Sequence, residues 1–155
     1  MKNYLNKIFF LLAISICSIE VNSEATDSKI SLLVHKTPTC GCCKMWVEHL
    51  DKDGFSASVQ DHKSLQTIKE KYKIKPKYQS CHTGVSKDGY IFEGHIPSKF
   101  IAQFLSEDHP NAIGLSVPGM PLGSPGMEVD GMFTPYDVLI LFNDGSSKVY
   151  AEVRK

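Results

Sequence analysis

The run Ile30-Ser31-Leu32-Leu33-Val34, then Thr37-Pro38-Thr39-Cys40-Gly41-Cys42-Cys43, then Lys44-Met45-Trp46-Val47-Glu48-His49-Leu50, carries the architecture of this chain. The first five residues are apolar and β-branched and read as a buried strand. Thr37-Pro38-Thr39 breaks that strand. Cys43, Trp46, Val47 and Leu50 follow at i, i+3, i+4 and i+7, one face of a helix. The three clustered cysteines therefore sit on the first turn of a helix that directly follows a strand.

Further along, Asp53-Gly54 ends the helix, and Phe55 to Val59 alternates as a second strand. Leu65, Ile68 and Tyr72 mark a second helix, closed by Lys75-Pro76. Tyr78 to Val85 and Tyr90 to His95 read as a hairpin around Lys87-Asp88-Gly89. Pro97 and Ser98 open another helix with Phe100, Ile101, Phe104 and Leu105 inward. This order predicts a thioredoxin-like α/β sandwich over residues 24–110. From Asn111 to Thr134 glycine and proline dominate and no hydrophobic period is visible. Pro118-Gly119-Met120 recurs seven residues later as Pro125-Gly126-Met127. Val138 to Phe142 and Lys148 to Val153 then flank Asn143-Asp144-Gly145 as a second hairpin. Residues 111–155 thus read as a C-terminal extension, a Gly/Pro/Met loop and a β-hairpin packed on the main domain. A loop of that length in a compact chain points to function.

The 155 residues carry 17 basic and 17 acidic side chains, with 42% hydrophobic and 22% charged residues. That is globular composition with room for one core. A neutral balance excludes whole-chain attraction to nucleic acid or anionic lipid. Lys2 and Lys7 precede an apolar run from Ile8 to Ile16, followed by Ser18, Asn22 and Ser23. Such a run is short of the ~20 residues that span a bilayer and reads as a secretory signal over residues 1–23. The expected cut lies after Ser23, with Ala25 the runner-up. Its removal takes Lys2, Lys7, Glu20 and Cys17, leaving a formal charge of −1 and Cys40, Cys42, Cys43 and Cys81. The mature chain is expected in the periplasm, outside the membrane and as a monomer. An oxidising compartment favours paired or metal-bound thiols.

Cys40-Gly41-Cys42-Cys43 holds two patterns at once. Cys40 and Cys43 form a C-x-x-C pair after a strand and at the opening of a helix, the setting of a dithiol redox site. The helix N-terminus favours a thiolate there. Cys42 is surplus to a dithiol switch. Three thiolates this close repel unless a cation neutralises them, and soft thiolates take Cu(I), Zn²⁺ or iron–sulfur units. Met120 and Met127 add thioethers, which suit Cu(I) and are unusual for zinc. Cys81-His82 supplies a thiolate and an imidazole, and His95 a further imidazole. A second C-x-x-C, which a zinc ribbon needs, is missing. Ligand type therefore ranks copper ahead of zinc. The metal candidates are Cys40, Cys42, Cys43, Cys81, His82, His95, Met120 and Met127. Each has a plainer reading: buried sulfur, a hydrogen-bonded histidine, a gap-filling methionine. His35, at the end of the first strand, reads as structural, and His49, His62 and His109 as surface positions.

Four blocks in order, Thr37-Pro38-Thr39-Cys40-Gly41-Cys42-Cys43, Ser80-Cys81-His82-Thr83, Glu93-Gly94-His95-Ile96-Pro97 and Val117 to Met127, resemble the CopG-type family of exported copper-resistance proteins. The resemblance runs from about Ile30 to Val153. It implies a thioredoxin domain with a metal-binding extension, and a cysteine-bridged cluster of several copper ions that interconverts Cu(I) and Cu(II). By motif, Cys40, Cys42 and Cys43 would bridge the ions, Cys81 would face them, and Met120 and Met127 would close the site. Two rivals stay open. One is a metal-independent thiol–disulfide oxidoreductase, with Cys40 attacking and Cys43 resolving. The other is a copper buffer or chaperone that passes ions to efflux components. In the copper redox reading, a periplasmic redox partner would exchange the electron.

Overall fold

The computed structural model describes residues 29–155, so the signal segment read over residues 1–23 lies outside the described residues. Strand β1 (Ile30–Lys36) leads into helix α1 (Gly41–Lys52) and strand β2 (Phe55–Asp61). Helix α2 (Gln66–Lys71) and a single 3₁₀ turn (Pro76–Tyr78) precede β3 (Thr83–Ser86) and β4 (Ile91–Glu93). Helix α3 (Ser98–Ser106) and strands β5 (Ala112–Ser116), β6 (Tyr136–Phe142) and β7 (Ser147–Val153) follow. Among the described residues the seven strands form one mixed sheet in the order β2-β1-β3-β4-β5-β6-β7. The β1–β2 and β4–β5 pairs are parallel and the others antiparallel.

Alternation along the strands builds two apolar clusters. Leu32, Val34, Phe92, Leu115 and Val138 meet Trp46, Val47 and Leu50 of α1 and Ile101 and Phe104 of α3 on one face. Val85, Ile91 and Leu141 meet Ile74 and Tyr78 on the other. Neighbours Ile91 and Phe92 thus serve opposite faces. On α1 the buried residues are Cys43, Trp46, Val47 and Leu50, the face that the spacing picks out. Full burial of side chains this large contributes about 1.5–3 kcal/mol each, which anchors the first turn of α1 against the sheet.

Three local expectations change. Ala112–Ser116, inside the stretch without hydrophobic period, is a strand paired with β4 and β6. Five half-buried or buried residues are too few to show a period beside so much glycine and proline. The first hairpin is shorter than Tyr78 to His95 suggests, because Pro76 starts a 3₁₀ turn and residues 79–82 stay irregular. On α2 the buried residue is Lys69, while Leu65, Ile68 and Tyr72 are only half-buried. Lys69 is drawn inward by Glu93, which no local pattern reveals.

The topology also gathers chain ends. β1, β4 and β5 finish at the same edge of the sheet where β3 and β6 begin, as the pairs His35–Thr83, Thr83–Glu93 and Glu93–Ser116 show. The cysteine turn follows β1, Cys81 and His82 precede β3, His95 follows β4, and the Gly/Pro/Met loop leaves β5 and returns to β6. Every segment singled out for sulfur or imidazole chemistry emerges at that edge.

Candidate metal centre

Cys40 occupies the N-cap of α1 in extended conformation, without a side-chain cap. Its N–H donates to Thr37 O at 3.1 Å and its carbonyl accepts from Lys44 N, so the Thr37–Thr39 turn sets the entry to the helix. Cys40 and Cys43 are joined by a disulfide. Cys42 and Cys81 are free thiols, both half-buried. Cys42 Sγ lies 3.6 Å from Cys40 Sγ and 4.0 Å from Cys81 Sγ. Cys81 Sγ lies 3.4 Å from Cys43 Sγ. Four sulfurs from two segments thus share one point at the positive end of a helix.

Cys81 also belongs to a second group. His82 Nδ1 is 3.4 Å and His95 Nε2 3.1 Å from Cys81 Sγ. Donor atoms of Cys40, Cys42, Cys43 and Cys81 lie within 4.8 Å of one another, as do those of Cys81, His82 and His95. The first set is a soft sulfur nest and the second an imidazole–thiol trio, with Cys81 common to both. His95 Nδ1 donates to Pro125 O at 2.8 Å. A carbonyl only accepts, so Nδ1 carries the hydrogen and the Nε2 lone pair faces Cys81. His82 is wholly buried, packed at 4.3 Å centroid distance on Trp46 and edge-on to His95. Its Nε2 is buried without a hydrogen-bond partner among the described residues.

Burial holds the donors of this centre uncharged. Burial and the neighbouring Cys42 push the Cys81 thiol up to about 12, so it holds its proton at neutral pH unless a cation displaces it. Burial, His95 and Lys69 hold His82 well below the usual histidine range, and burial lowers His95. Both imidazoles are therefore neutral and able to donate to a metal.

The loop after β5 closes over this centre. Gly119 N donates to Gln79 O, and Ser80 Oγ donates to Gly119 O, tying the first Pro-Gly-Met turn beside Cys81. The second lies on α1 itself. Gly126 has φ +81°, and a Cβ there would meet Cys42 O at 2.7 Å and Trp46 N at 2.8 Å, so only glycine fits. Met127 is half-buried and Met120 is 53% exposed. The structure therefore brings together Cys40, Cys42, Cys43, Cys81, His82 and His95 and seats the turns bearing Met120 and Met127 against them. The remaining histidines lie elsewhere. His35 Nδ1 and His62 Nε2 share a hydrogen bond at 2.9 Å, His49 Nε2 accepts from Ser98 N, and His109 stacks on Phe104. His49, His62 and His109, expected at the surface, are each half-buried.

One buried pair beside the centre was not among the candidate residues. Glu93, fully buried, pairs with buried Lys69 and accepts from Thr83 Oγ1 at 2.7 Å and from Ser80 N at 2.6 Å. Burial outweighs those partners and raises its carboxyl pKa. The Ser80 contact anchors the backbone just before Cys81. Glu93 lies two residues before His95, which flags its neighbourhood, but Lys69 is one of several lysines in its segment and nothing local distinguishes it.

Among the described residues no helix is long and apolar enough to cross a membrane. No curated protein matches the chain. A family described as a protein of unknown function, DUF411, matches residues 78–127. Two solved structures titled copper resistance protein copG are similar over most of the chain. Form 2 is 35% identical with a TM-score of 0.77, over 82% of this chain and 100% of that one. Form 1 is 35% identical with a TM-score of 0.76, over 83% and 100%.

Proposed function

Because this chain belongs to the CopG family of copper-resistance proteins, we propose that it is an exported copper-binding protein that interconverts Cu(I) and Cu(II) in the periplasm. The observation that carries the reading is the four-sulfur nest sharing Cys81 with two neutral imidazoles. That donor set suits Cu(I) through sulfur and Cu(II) through nitrogen. Copper is here cargo and redox substrate. Reduction of the Cys40–Cys43 disulfide makes all four sulfurs available as bridging thiolates. His82 and His95 complete the coordination, and Met120 and Met127 close it from the loop. The β1-α1-β2 unit, the β3–β4 hairpin and α3, with C-x-x-C at the head of α1, support a thioredoxin-like sandwich as its frame. Copper efflux components, or a periplasmic redox partner, would exchange ions or electrons with it.

The Cys40–Cys43 disulfide favours a second reading, thiol–disulfide exchange with client proteins. That activity has no use for Cys42 or the His82–His95 pair. Metal analysis and Cu(I) titration of the reduced protein against a competing chelator separate the two. Cys42→Ser is expected to lose bound copper while any insulin-disulfide reduction persists. Full copper loading by that variant overturns the copper-cluster reading.

A further inference from the structure

We propose that Cys42 and Cys81 form a second dithiol that donates electrons to Cu(II), so that this centre delivers four electrons instead of two. The proposal rests on the copper reading above and assigns the source of its electrons. With Cys40 and Cys43 already joined, the two free thiols among the described residues face each other at 4.0 Å across segments 39 residues apart. A disulfide requires the sulfurs at about 2.05 Å, so the two must approach by roughly 2 Å to close the pair. One thiol rides on the first turn of α1, and the other on the irregular residues before β3. Neither closure disturbs a strand.

The four cysteines of the described residues allow three pairings. Joining Cys42 to Cys43 bridges adjacent residues, and joining Cys40 to Cys42 bridges residues within one turn; both strain the backbone. Keeping Cys40–Cys43 and closing Cys42–Cys81 needs one new bond and leaves the existing disulfide in place. Each free thiol also abuts a disulfide sulfur, Cys42 at 3.6 Å from Cys40 and Cys81 at 3.4 Å from Cys43. Exchange among the four would lead only into one of the strained pairings, so the new link is expected to rest between Cys42 and Cys81.

The step balances with Cu(II) as the oxidant. Two Cu(II) ions each accept one electron and become Cu(I). The Cys42 and Cys81 S–H bonds break, one S–S bond forms, and two protons pass to water. The Cys40–Cys43 pair, when reduced, repeats the same exchange.

The test uses the full chain carrying Cys17→Ser, reduced and held without oxygen, with aqueous Cu(II) in excess and a chromogenic Cu(I) chelator present. The expected yield is four Cu(I) per chain with no thiol left, against two for Cys81→Ser. Tryptic mapping is expected to join Thr37–Lys44 to Tyr78–Lys87, with fragmentation placing the link at Cys42. Two Cu(I) per chain with Cys42 and Cys81 still free, or a link mapping to Cys40 or Cys43, overturns the proposal. The mapping needs no variant, so a Cys81→Ser chain that fails to fold leaves the test intact. Cu(I) binding by the reduced chain is measured separately. Its loss alongside four delivered electrons would sink the copper-holding reading and leave the second dithiol standing.

Discussion

Cys81 Sγ lies within 4.0 Å of Cys42 and Cys43 and within 3.4 Å of His82 and His95, so one side chain joins the sulfur nest to the imidazoles. Its thiol is pushed up to about 12 by burial and by Cys42. A thiol with so high a pKa is protonated at pH 6 to 8, and copper must displace that proton. Affinity should therefore rise with pH, by about tenfold per pH unit for each proton displaced. Chelator competition at pH 6, 7 and 8 measures the slope, and Cys81→Ser should lower it by about one proton. An unchanged slope in that variant would remove Cys81 from the ligands. At this level the sequence was readable where chemistry is rare: cysteines, histidines beside them, paired Pro-Gly-Met triplets. It was silent about the pairing of Glu93 with Lys69, since a buried ion pair is made of the residue types that normally decorate surfaces.

Helix α1 and the loop that crosses it act together. The loop can approach α1 only because Gly126 lacks a Cβ and tolerates φ +81°. Gly119 also has positive φ, +68°, but nothing lies within 4 Å of its Cβ position. Gly119→Ala should cost about 1–2 kcal/mol from left-handed backbone alone. Gly126→Ala adds collisions with Cys42 O and Trp46 N, costing about 1–3 kcal/mol more, and should speed copper release. Denaturant midpoints and copper off-rates of the two variants provide the comparison; equal effects would mean that the close approach is unimportant. The helix itself was legible because an apolar face repeats every 3.6 residues. β5 was not, because a five-residue strand between turns leaves no period to detect.

The folded molecule buries two neutral histidines beside the site, and this links its stability to pH. Burial lowers the pKa of both His82 and His95 below the unfolded value. Above about pH 6.5, the ordinary histidine pKa, neither state binds the proton and the full stability is present. As pH falls below that value the unfolded chain takes up protons that the native chain refuses, and stability drops. Metal-free protein should show a falling denaturant midpoint from pH 7 to pH 5, and His82→Gln should flatten that fall relative to the parent. A midpoint that falls equally in both would show that His82 is not the group responsible.

The residue order alone established the elements around the cysteines, the face of α1 that packs inward, and the soft character of the donors. These follow from backbone periodicity and from ligand chemistry, both of which are local. The tertiary structure alone established that sulfur from α1 and from the β3 approach, imidazole from beyond β4 and a loop from β5 share one edge. Strand order and register result from burial summed over the whole sheet, and contacts between residues 39 apart, such as Cys42 and Cys81, exist only once that sum has selected one topology.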